Sequence, residues 1–170
     1  MDLAKYIRDI PDFPKKGILF KDITTLLNDK AAYKEAIDKL AQVLKDKEIA
    51  YIVAAESRGF IFGGALAYKL DCGFVPIRKP NKLPASIYRH TYTLEYGEDS
   101  LEIHQDAFPE GAKVLVLDDL LAIGGTAQAM VSLVKKLKGE IIGVAFLIEL
   151  TFLNGREKLK DYPIYSLIKF

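Results

Sequence analysis

The chain has very few of the residues that crosslink small proteins or hold metals in them. Its 170 residues include one cysteine, Cys72, and two histidines, His90 and His104. A single cysteine excludes an intrachain disulfide, and so few sulfur and imidazole groups do not make a zinc site. We therefore expect the fold to depend on one hydrophobic core, which a chain of this length can build.

The charge and hydropathy patterns exclude further classes of protein. Acidic and basic residues nearly cancel to a net charge of +1, so the chain has no overall basic field for nucleic acid. The longest apolar run, 141–148, is far shorter than the ~20 residues of a membrane span. The first ten residues carry charges and do not resemble a signal peptide. We expect a cytoplasmic protein that binds neither nucleic acid nor membranes.

Strand and helix patterns alternate along the chain. Apolar spacing predicts helices at three places, and continuous apolar runs predict buried strands at four. The helices are predicted at 33–44, 60–70 and 127–137, and the strands at 51–54, 74–77, 114–117 and 141–148. Asn28 or Asp29 is expected to cap the first helix, and Gly139 to end the last. This alternation predicts a parallel sheet with helices on both faces and ligands at the carboxyl ends of the strands.

One stretch, 79–112, interrupts the alternation. Its β-rich pieces at 91–94 and 100–103 flank Gly97, which predicts an antiparallel excursion or a mobile flap. Glu95 lies two residues before that glycine, in an aromatic context. Such a glutamate is either a gated general acid or base, or an ordinary residue of an edge strand.

The segment "DDLLAIGGTA" at 118–127 carries the main chemical signal. Its glycines would let backbone N–H groups converge on a phosphate at the start of a helix, and Thr126 would either cap that helix or bind the phosphate. Asp118 and Asp119 suit the hydroxyls of a sugar, so the segment suggests a ribose phosphate. In a regular strand these acids would face opposite sides, so reaching one ligand requires a bend. The alternative is a capped turn with solvated acids.

Two other loops are suited to anions. "AAESRGF" at 54–60 offers Arg58, whose guanidinium fork matches pyrophosphate, and Ser57 as a possible helix cap. "IRKPNKLP" at 77–84 has three cations and no acid, which indicates either an anion site or a solvated surface. Neither a Walker motif nor a G-x-G-x-x-G motif is present, which argues against an ATPase or a dinucleotide-binding protein.

The segment "PDFPKKGILFKDIT" at 11–24 is an arm with a short apolar centre. Ile18, Leu19 and Phe20 lie between Lys16 and Lys21. They would either pack in the core or form a lid that offers a ring face to a flat base.

Taken in order, these segments resemble the adenine phosphoribosyltransferase family of type I phosphoribosyltransferases. The resemblance also includes "LEYG" at 94–97 and "ELTFLNGREKL" at 149–159, and it extends over nearly the whole chain. It implies a single domain over 1–170 with the type I fold, a base-covering arm at 1–27 and a flap at 79–104. The implied reaction converts adenine and phosphoribosyl pyrophosphate into AMP and pyrophosphate.

The resemblance also implies a role for each matching residue. The ribose would be bound by Asp118 and Asp119, and the 5′-phosphate by Ala122, Ile123, Gly124, Gly125 and Thr126. The pyrophosphate would be bound by Glu56, Ser57, Arg58, Arg78, Lys79 and Lys82, in a loop that often contains a non-proline cis peptide. The adenine would be bound by Leu19, Phe20, Lys21 and Leu120. Glu95 is the catalytic candidate for handling the purine proton, and Tyr96 would lie beside it on the flap.

The same resemblance implies Mg²⁺, held mainly by the substrate and water with no direct protein ligand, and a homodimer in which Arg78 reaches the partner's site. Two departures from the family pattern stand out. Ile123 replaces a threonine, which predicts weaker binding of phosphoribosyl pyrophosphate, and Lys21 stands where arginine is common. Two alternatives stay open: a nucleotide-sensing regulator without turnover, and a transferase for another base such as hypoxanthine.

Overall fold

The computed structural model describes residues 1–94 and 97–170. The strands are β1 (Arg8–Pro11), β2 (Leu19–Asp22), β3 (Tyr51–Ala55), β4 (Gly73–Ile77), β5 (Ile87–Leu94), β6 (Gly97–His104), β7 (Lys113–Leu121), β8 (Glu140–Glu149) and β9 (Ile164–Lys169). The α-helices are α1 (Thr24–Asn28), α2 (Lys30–Leu44), α3 (Arg58–Leu70) and α4 (Gly125–Lys136). Short 3₁₀ helices cover Leu3–Tyr6, Thr151–Leu153 and Gly155–Leu159.

Five strands form a parallel sheet in the order β4-β3-β7-β8-β9. Helices α2 and α3 pack on one face and form what we call the first core, whereas α4 packs on the other face and forms the second core. Because both faces are covered, the central strands are apolar along their length. The predicted parallel sheet with helices on both faces is confirmed.

The element boundaries differ from the predicted ones where local backbone geometry decides them. Asp29 caps α2 as expected, since its carboxylate accepts the N–H groups of Ala31 and Ala32 at 2.9 Å. Of the two roles considered for Thr126, capping does not hold, because α4 begins at Gly125 after Gly124, whose φ is +81°. Ser57 does precede α3, but its side chain makes no capping hydrogen bond. Helix α4 also ends at Lys136, earlier than predicted.

The excursion predicted within 79–112 is an antiparallel hairpin of β5 and β6. Tyr92 lies opposite Asp99 in this hairpin, and Leu101 and Ile103 are buried in the second core. A backbone bridge between Arg78 and Glu102 joins the hairpin to the segment after β4. The hairpin is therefore anchored at its base next to the carboxyl ends of the parallel strands.

In the part of the chain that the structure describes, none of the helices combines the length and the apolar character that crossing a membrane requires.

Candidate functional site

The two adjacent acids lie where β7 departs from the regular alternation of its side chains. Leu117 belongs to the first core, whereas Leu121, four residues later, belongs to the second. A regular strand would place both on the same face, so the alternation reverses across Asp118 and Asp119. The strand pairing continues to Leu121, and the Asp119 N–H donates to Asp118 Oδ1 at 2.9 Å. The bend that the sequence required therefore lies inside the strand.

A cavity of about 470 Å³ opens at the carboxyl ends of β3 and β7. It brings together residues from the arm, the loop after β3, the hairpin, β7 and the start of α4. Its lining consists of Phe20, Ala55, Glu56, Ser57, Arg58, Lys79, Tyr92, Asp99, Leu101, Asp118, Asp119 and Thr126. Eight of these were named from the sequence, so residues that are far apart along the chain share one space.

Asp118 and Asp119 differ in how their charge is compensated. The Arg58 Nε lies 2.9 Å from Asp119 Oδ2, in a geometry that gives an ion pair without a hydrogen bond. Burial, and then the charge of Asp119, raise the pKa of Asp118 well above its usual range. Burial also raises the pKa of Asp119, and Arg58 opposes that rise. Ionisation of both carboxylates at the same time is therefore less favourable here than in water.

Glu56 organises the cations of the predicted pyrophosphate site. Its carboxylate accepts from Lys82 Nζ at 2.7 Å, from the Lys79 backbone N–H at 2.5 Å and from Arg78 Nη2 at 3.4 Å. Burial would raise the pKa of Glu56, but these donors together hold it below its ordinary value. An ionised carboxylate repels an anion, so Glu56 acts here by holding cations in place. The cis peptide expected in this loop joins Glu56 and Ser57.

A chain of polar contacts crosses the cavity from the hairpin. Asp99 Oδ2 forms an ion pair with Lys79 Nζ and accepts from the Tyr92 hydroxyl at 3.2 Å. That hydroxyl lies 3.5 Å from Thr126 Oγ1 at the start of α4. Burial would raise the pKa of Asp99, but Lys79 and the Ser100 N–H hold it below its usual value. The hairpin is thus tied to two of the predicted anion-binding segments.

The loop between β7 and α4 surrounds a second cavity of about 80 Å³, lined by residues 120–127. Gly155 packs against the back of this loop. A Cβ on Gly155 would overlap Ala122 O, and one on Gly124 would lie 2.7 Å from Gly155 O. The adjacent Arg156 is paired with buried Glu149, through Nη2 at 2.7 Å and also through Nε. The segment 149–156, to which the sequence analysis assigned no role, therefore supports the loop from behind.

The arm forms a hairpin of β1 and β2 beside the main cavity. The Phe20 ring lines the cavity, with the Arg58 guanidinium 5.0 Å from its centroid. Ile18 and Leu19 are 45% and 49% exposed, so of the two alternatives for the arm, packing in the core does not hold for these two residues. The Lys21 side chain is buried, bonds Asp9 at 2.7 Å and lies over the Phe170 ring. Any contact of Lys21 with a ligand is therefore left to its backbone.

Four cavity residues were not identified from the sequence: Ala55, Tyr92, Asp99 and Leu101. Tyr92 and Leu101 lie in the β-rich pieces at 91–94 and 100–103, Asp99 lies just before the second piece, and Ala55 follows the predicted strand at 51–54. No local motif pointed to a ligand at any of them. Arg78 and Lys82 bind Glu56 and do not line the main cavity, and Leu120 lines the loop cavity instead. Glu95 and Tyr96 lie outside the described residues.

Among the described residues, no group of three histidine, cysteine, aspartate or glutamate side chains is placed to hold a metal ion. The carboxylates in the described lining of the cavity, which suit a hard cation, are those of Asp118, Asp119, Glu56 and Asp99.

Comparison with known proteins agrees with this geometry. The phosphoribosyl transferase domain family matches residues 22–170. An adenine phosphoribosyltransferase of Brachyspira hyodysenteriae is 56% identical over the full length of both chains. The crystal structure of the adenine phosphoribosyltransferase from Thermoanaerobacter pseudethanolicus has a TM-score of 0.97 and 55% identity, and covers 99% of this chain and 98% of its own.

A second solved structure carries ligands. The adenine phosphoribosyltransferase of Saccharomyces cerevisiae, complexed with adenine and D-2,5-dideoxy-2,5-imino-altritol 1,6-bisphosphate, is 40% identical, has a TM-score of 0.92, and covers 98% of this chain and 96% of its own. The sheet, the acidic strand end and the glycine loop thus define a phosphoribosyltransferase. Within that class, the chain belongs to the adenine phosphoribosyltransferase family.

Proposed function

We propose that this protein transfers a phosphoribosyl group from phosphoribosyl pyrophosphate to adenine, giving AMP and pyrophosphate in purine salvage. The observation that carries the proposal is the single cavity that joins the Asp118–Asp119 pair, Arg58 and Thr126. A sugar bearing phosphates at both ends needs this combination: acceptors for its hydroxyls between two groups of donors for its phosphates.

The substrate's ribose and 5′-phosphate are assigned to β7 and the loop after it. Asp118 and Asp119 accept from the 2′- and 3′-hydroxyls, since ionised carboxylates are strong acceptors. The backbone N–H groups of 122–126, at the start of α4, receive the 5′-phosphate, and the Thr126 hydroxyl adds a donor. Ile123 contributes its N–H but no hydroxyl.

The pyrophosphate is assigned to Ser57, Arg58 and Lys79, with Arg78 and Lys82 behind them on Glu56. These cations stabilise the negative charge that develops on the leaving group as the bond to C1′ breaks. The ribose ring gains positive, oxocarbenium-like character in the same step, and the carboxylates of Asp118 and Asp119 lie in the cavity that holds it. The chain's own residues thus act mainly by position and charge.

Adenine is assigned to the arm side of the cavity, where Phe20 offers a ring face. Leu120 would cover the opposite face, and backbone groups at Leu19 and Lys21 would bond the edge of the base. Glu95 is proposed to handle the purine proton, and Tyr96 to close over the site with it.

Mg²⁺ is proposed as the cofactor, held mainly by the substrate's oxygens and water. The donor set fits it, because Mg²⁺ prefers oxygen ligands and the carboxylates of Asp118 and Asp119 line the cavity. When bound, the metal would neutralise the charge of the leaving pyrophosphate. We also propose a cytoplasmic location and a homodimer, for which the exposed Ile61 and Tyr68 on α3 supply apolar surface.

A steady-state assay of AMP formation tests the proposal. Adenine and Mg²⁺ should give AMP and pyrophosphate, and hypoxanthine should give far less product. Tight binding of phosphoribosyl pyrophosphate with no purine-dependent release of pyrophosphate would indicate a sensor instead. Faster turnover with hypoxanthine than with adenine would reassign the base, because the two purines present opposite hydrogen-bonding groups at C6.

A further inference from the structure

The Lys79–Asp99 pair differs from the other ion pairs of the main cavity in the structural element that carries its acidic residue. Arg58 is paired with Asp119 on β7, and the Glu56 pairs lie at the end of β3. Asp99 is carried by the β5–β6 hairpin, which lies outside the parallel sheet. A ligand that took Lys79 from Asp99 would therefore loosen a contact between the hairpin and the rest of the site.

Asp99 occupies Lys79 in the way that an anionic ligand would. Its Oδ2 receives both the Lys79 ammonium and the Tyr92 hydroxyl, and its Oδ1 accepts the Ser100 N–H at 2.8 Å. Tyr92 also lies 3.5 Å from the Thr126 hydroxyl, a donor predicted for the 5′-phosphate. The carboxylate thus holds one cation of the site and, through Tyr92, reaches a second anion-binding group.

We propose that the Asp99 carboxylate is an internal competitor of the substrate's pyrophosphate for Lys79, and that binding of the anion releases the hairpin contact. The proposal rests on the assignment of Lys79 to pyrophosphate made above. It makes Asp99 a determinant of affinity rather than a catalytic residue. The competition has a direct physical basis: two anions cannot both neutralise one ammonium group, and their mutual repulsion disfavours binding of the second.

Replacing Asp99 with asparagine should therefore improve binding. The amide keeps the shape of the side chain and removes its charge. We expect Asp99→Asn to bind inorganic pyrophosphate with Mg²⁺ roughly three- to tenfold more tightly by calorimetry. The KM for phosphoribosyl pyrophosphate should fall by a similar factor, with the KM for adenine unchanged. Simple structural damage would weaken binding, so the direction of the change is diagnostic.

Glu98→Gln is the matched control. It removes the neighbouring acid of the same hairpin, whose side chain is exposed and is not part of the described cavity lining. The control should leave pyrophosphate binding unchanged. Equal tightening in both variants would assign the effect to net charge and overturn the proposal, as would unchanged or weaker binding in Asp99→Asn.

Hydrogen exchange supplies a second, independent readout. Adding pyrophosphate to the unaltered protein should increase amide exchange in 97–104, and Asp99→Asn should show increased exchange there before pyrophosphate is added. Exchange that does not respond to pyrophosphate or to the substitution would contradict the release of the hairpin. Because neither binding nor exchange needs turnover, a failure of the proposed reaction would be seen separately, as an absence of AMP.

Discussion

The carbonyl oxygen of Gly155 lies 2.7 Å from the position that a Cβ on Gly124 would take. Two glycines from different segments therefore bring the 3₁₀ helix at Gly155–Leu159 and the start of α4 into backbone contact. Gly124 also needs its φ of +81°, which residues with a side chain rarely adopt. The loop around the predicted 5′-phosphate site is consequently shaped by its neighbour as well as by its own sequence.

A methyl group at Gly155 should disturb this loop. In Gly155→Ala the new Cβ would overlap Ala122 O, so the loop or the 3₁₀ helix must move. We expect a loss of about 1–3 kcal/mol in the free energy of unfolding. We also expect a KM for phosphoribosyl pyrophosphate at least roughly tenfold higher, the scale of one lost charged hydrogen bond. Chemical denaturation and initial-rate kinetics measure the two effects.

Gly64→Ala provides the control for a glycine substitution. Gly64 lies within α3, and a Cβ there would meet nothing within 4 Å. Alanine should stabilise that helix by up to ~1 kcal/mol and leave the KM unchanged. An unaltered KM in Gly155→Ala would show that the contact behind the loop does not shape the phosphate site.

The charge of Asp118 should reduce stability at neutral pH. Its pKa is raised by burial and by Asp119, so the folded state retains this proton more strongly than the unfolded state. Stability is then lost as the pH rises above the ordinary aspartate value of 3.8. Asp118→Asn should therefore be about 1 kcal/mol more stable than the unaltered protein at pH 7, an advantage that shrinks toward pH 4. Its kcat/KM for phosphoribosyl pyrophosphate should fall roughly tenfold or more.

Asp119→Asn should behave differently, although the substitution is chemically the same. Removing this charge would avoid the free-energy cost of burying a carboxylate. It would also leave the Arg58 guanidinium without the acid that pairs with it, and this loss offsets the gain. We expect no gain in stability from it. Equal stabilisation by both substitutions would mean that Arg58 does not distinguish the two acids.

Ile123 should limit the affinity for phosphoribosyl pyrophosphate. Its side chain is 42% exposed at the loop cavity and offers no hydrogen bond. Ile123→Thr should lower the KM for this substrate about ten- to a hundredfold, because a hydrogen bond to a charged group is worth about 1.5–3 kcal/mol. Ile123→Val, which shortens the side chain without adding a hydroxyl, should not. A similar fall in the KM in both variants would mean that the smaller side chain, and not the added hydroxyl, causes the effect.

Asp22 should contribute stability that is lost in acid. Its pKa is lowered to about 2 by the Thr24 N–H and then by Arg8, whose Nη2 donates at 2.5 Å. A lowered pKa means that the contribution is complete above 3.8 and disappears as the pH falls toward 2. Asp22→Asn should be destabilised by about 1 kcal/mol at pH 5, after allowance for solvent screening at exposed Arg8. Urea titrations should show this difference narrowing between pH 4 and pH 2.

The parts of the structure that were predictable from the sequence are those with a local cause. Buried parallel strands produce continuous apolar runs, and the segment at 118–127 carries its acids and glycines next to each other, so the sheet and the loop were both expected. Tyr92 and Asp99 reach the cavity only because the hairpin packs against the second core and bridges Arg78 to Glu102. That placement depends on long-range packing, for which no motif exists. For the same reason, the burial of Lys21 against Phe170 was not expected.

The reversal of alternation in β7 has a consequence for protein design. Strand β8 makes the same change beside it: Phe146 packs in the second core, whereas Ile148, two residues later, packs in the first. Leu120 and Ile148 are paired in register and lie on the same side. The acidic site is thus built by two strands that change face together. If 118–127 alone is grafted onto another parallel sheet, the chain should fold with one of the two acids pointing away from the ligand site. A functional transplant would have to include both β7 and β8.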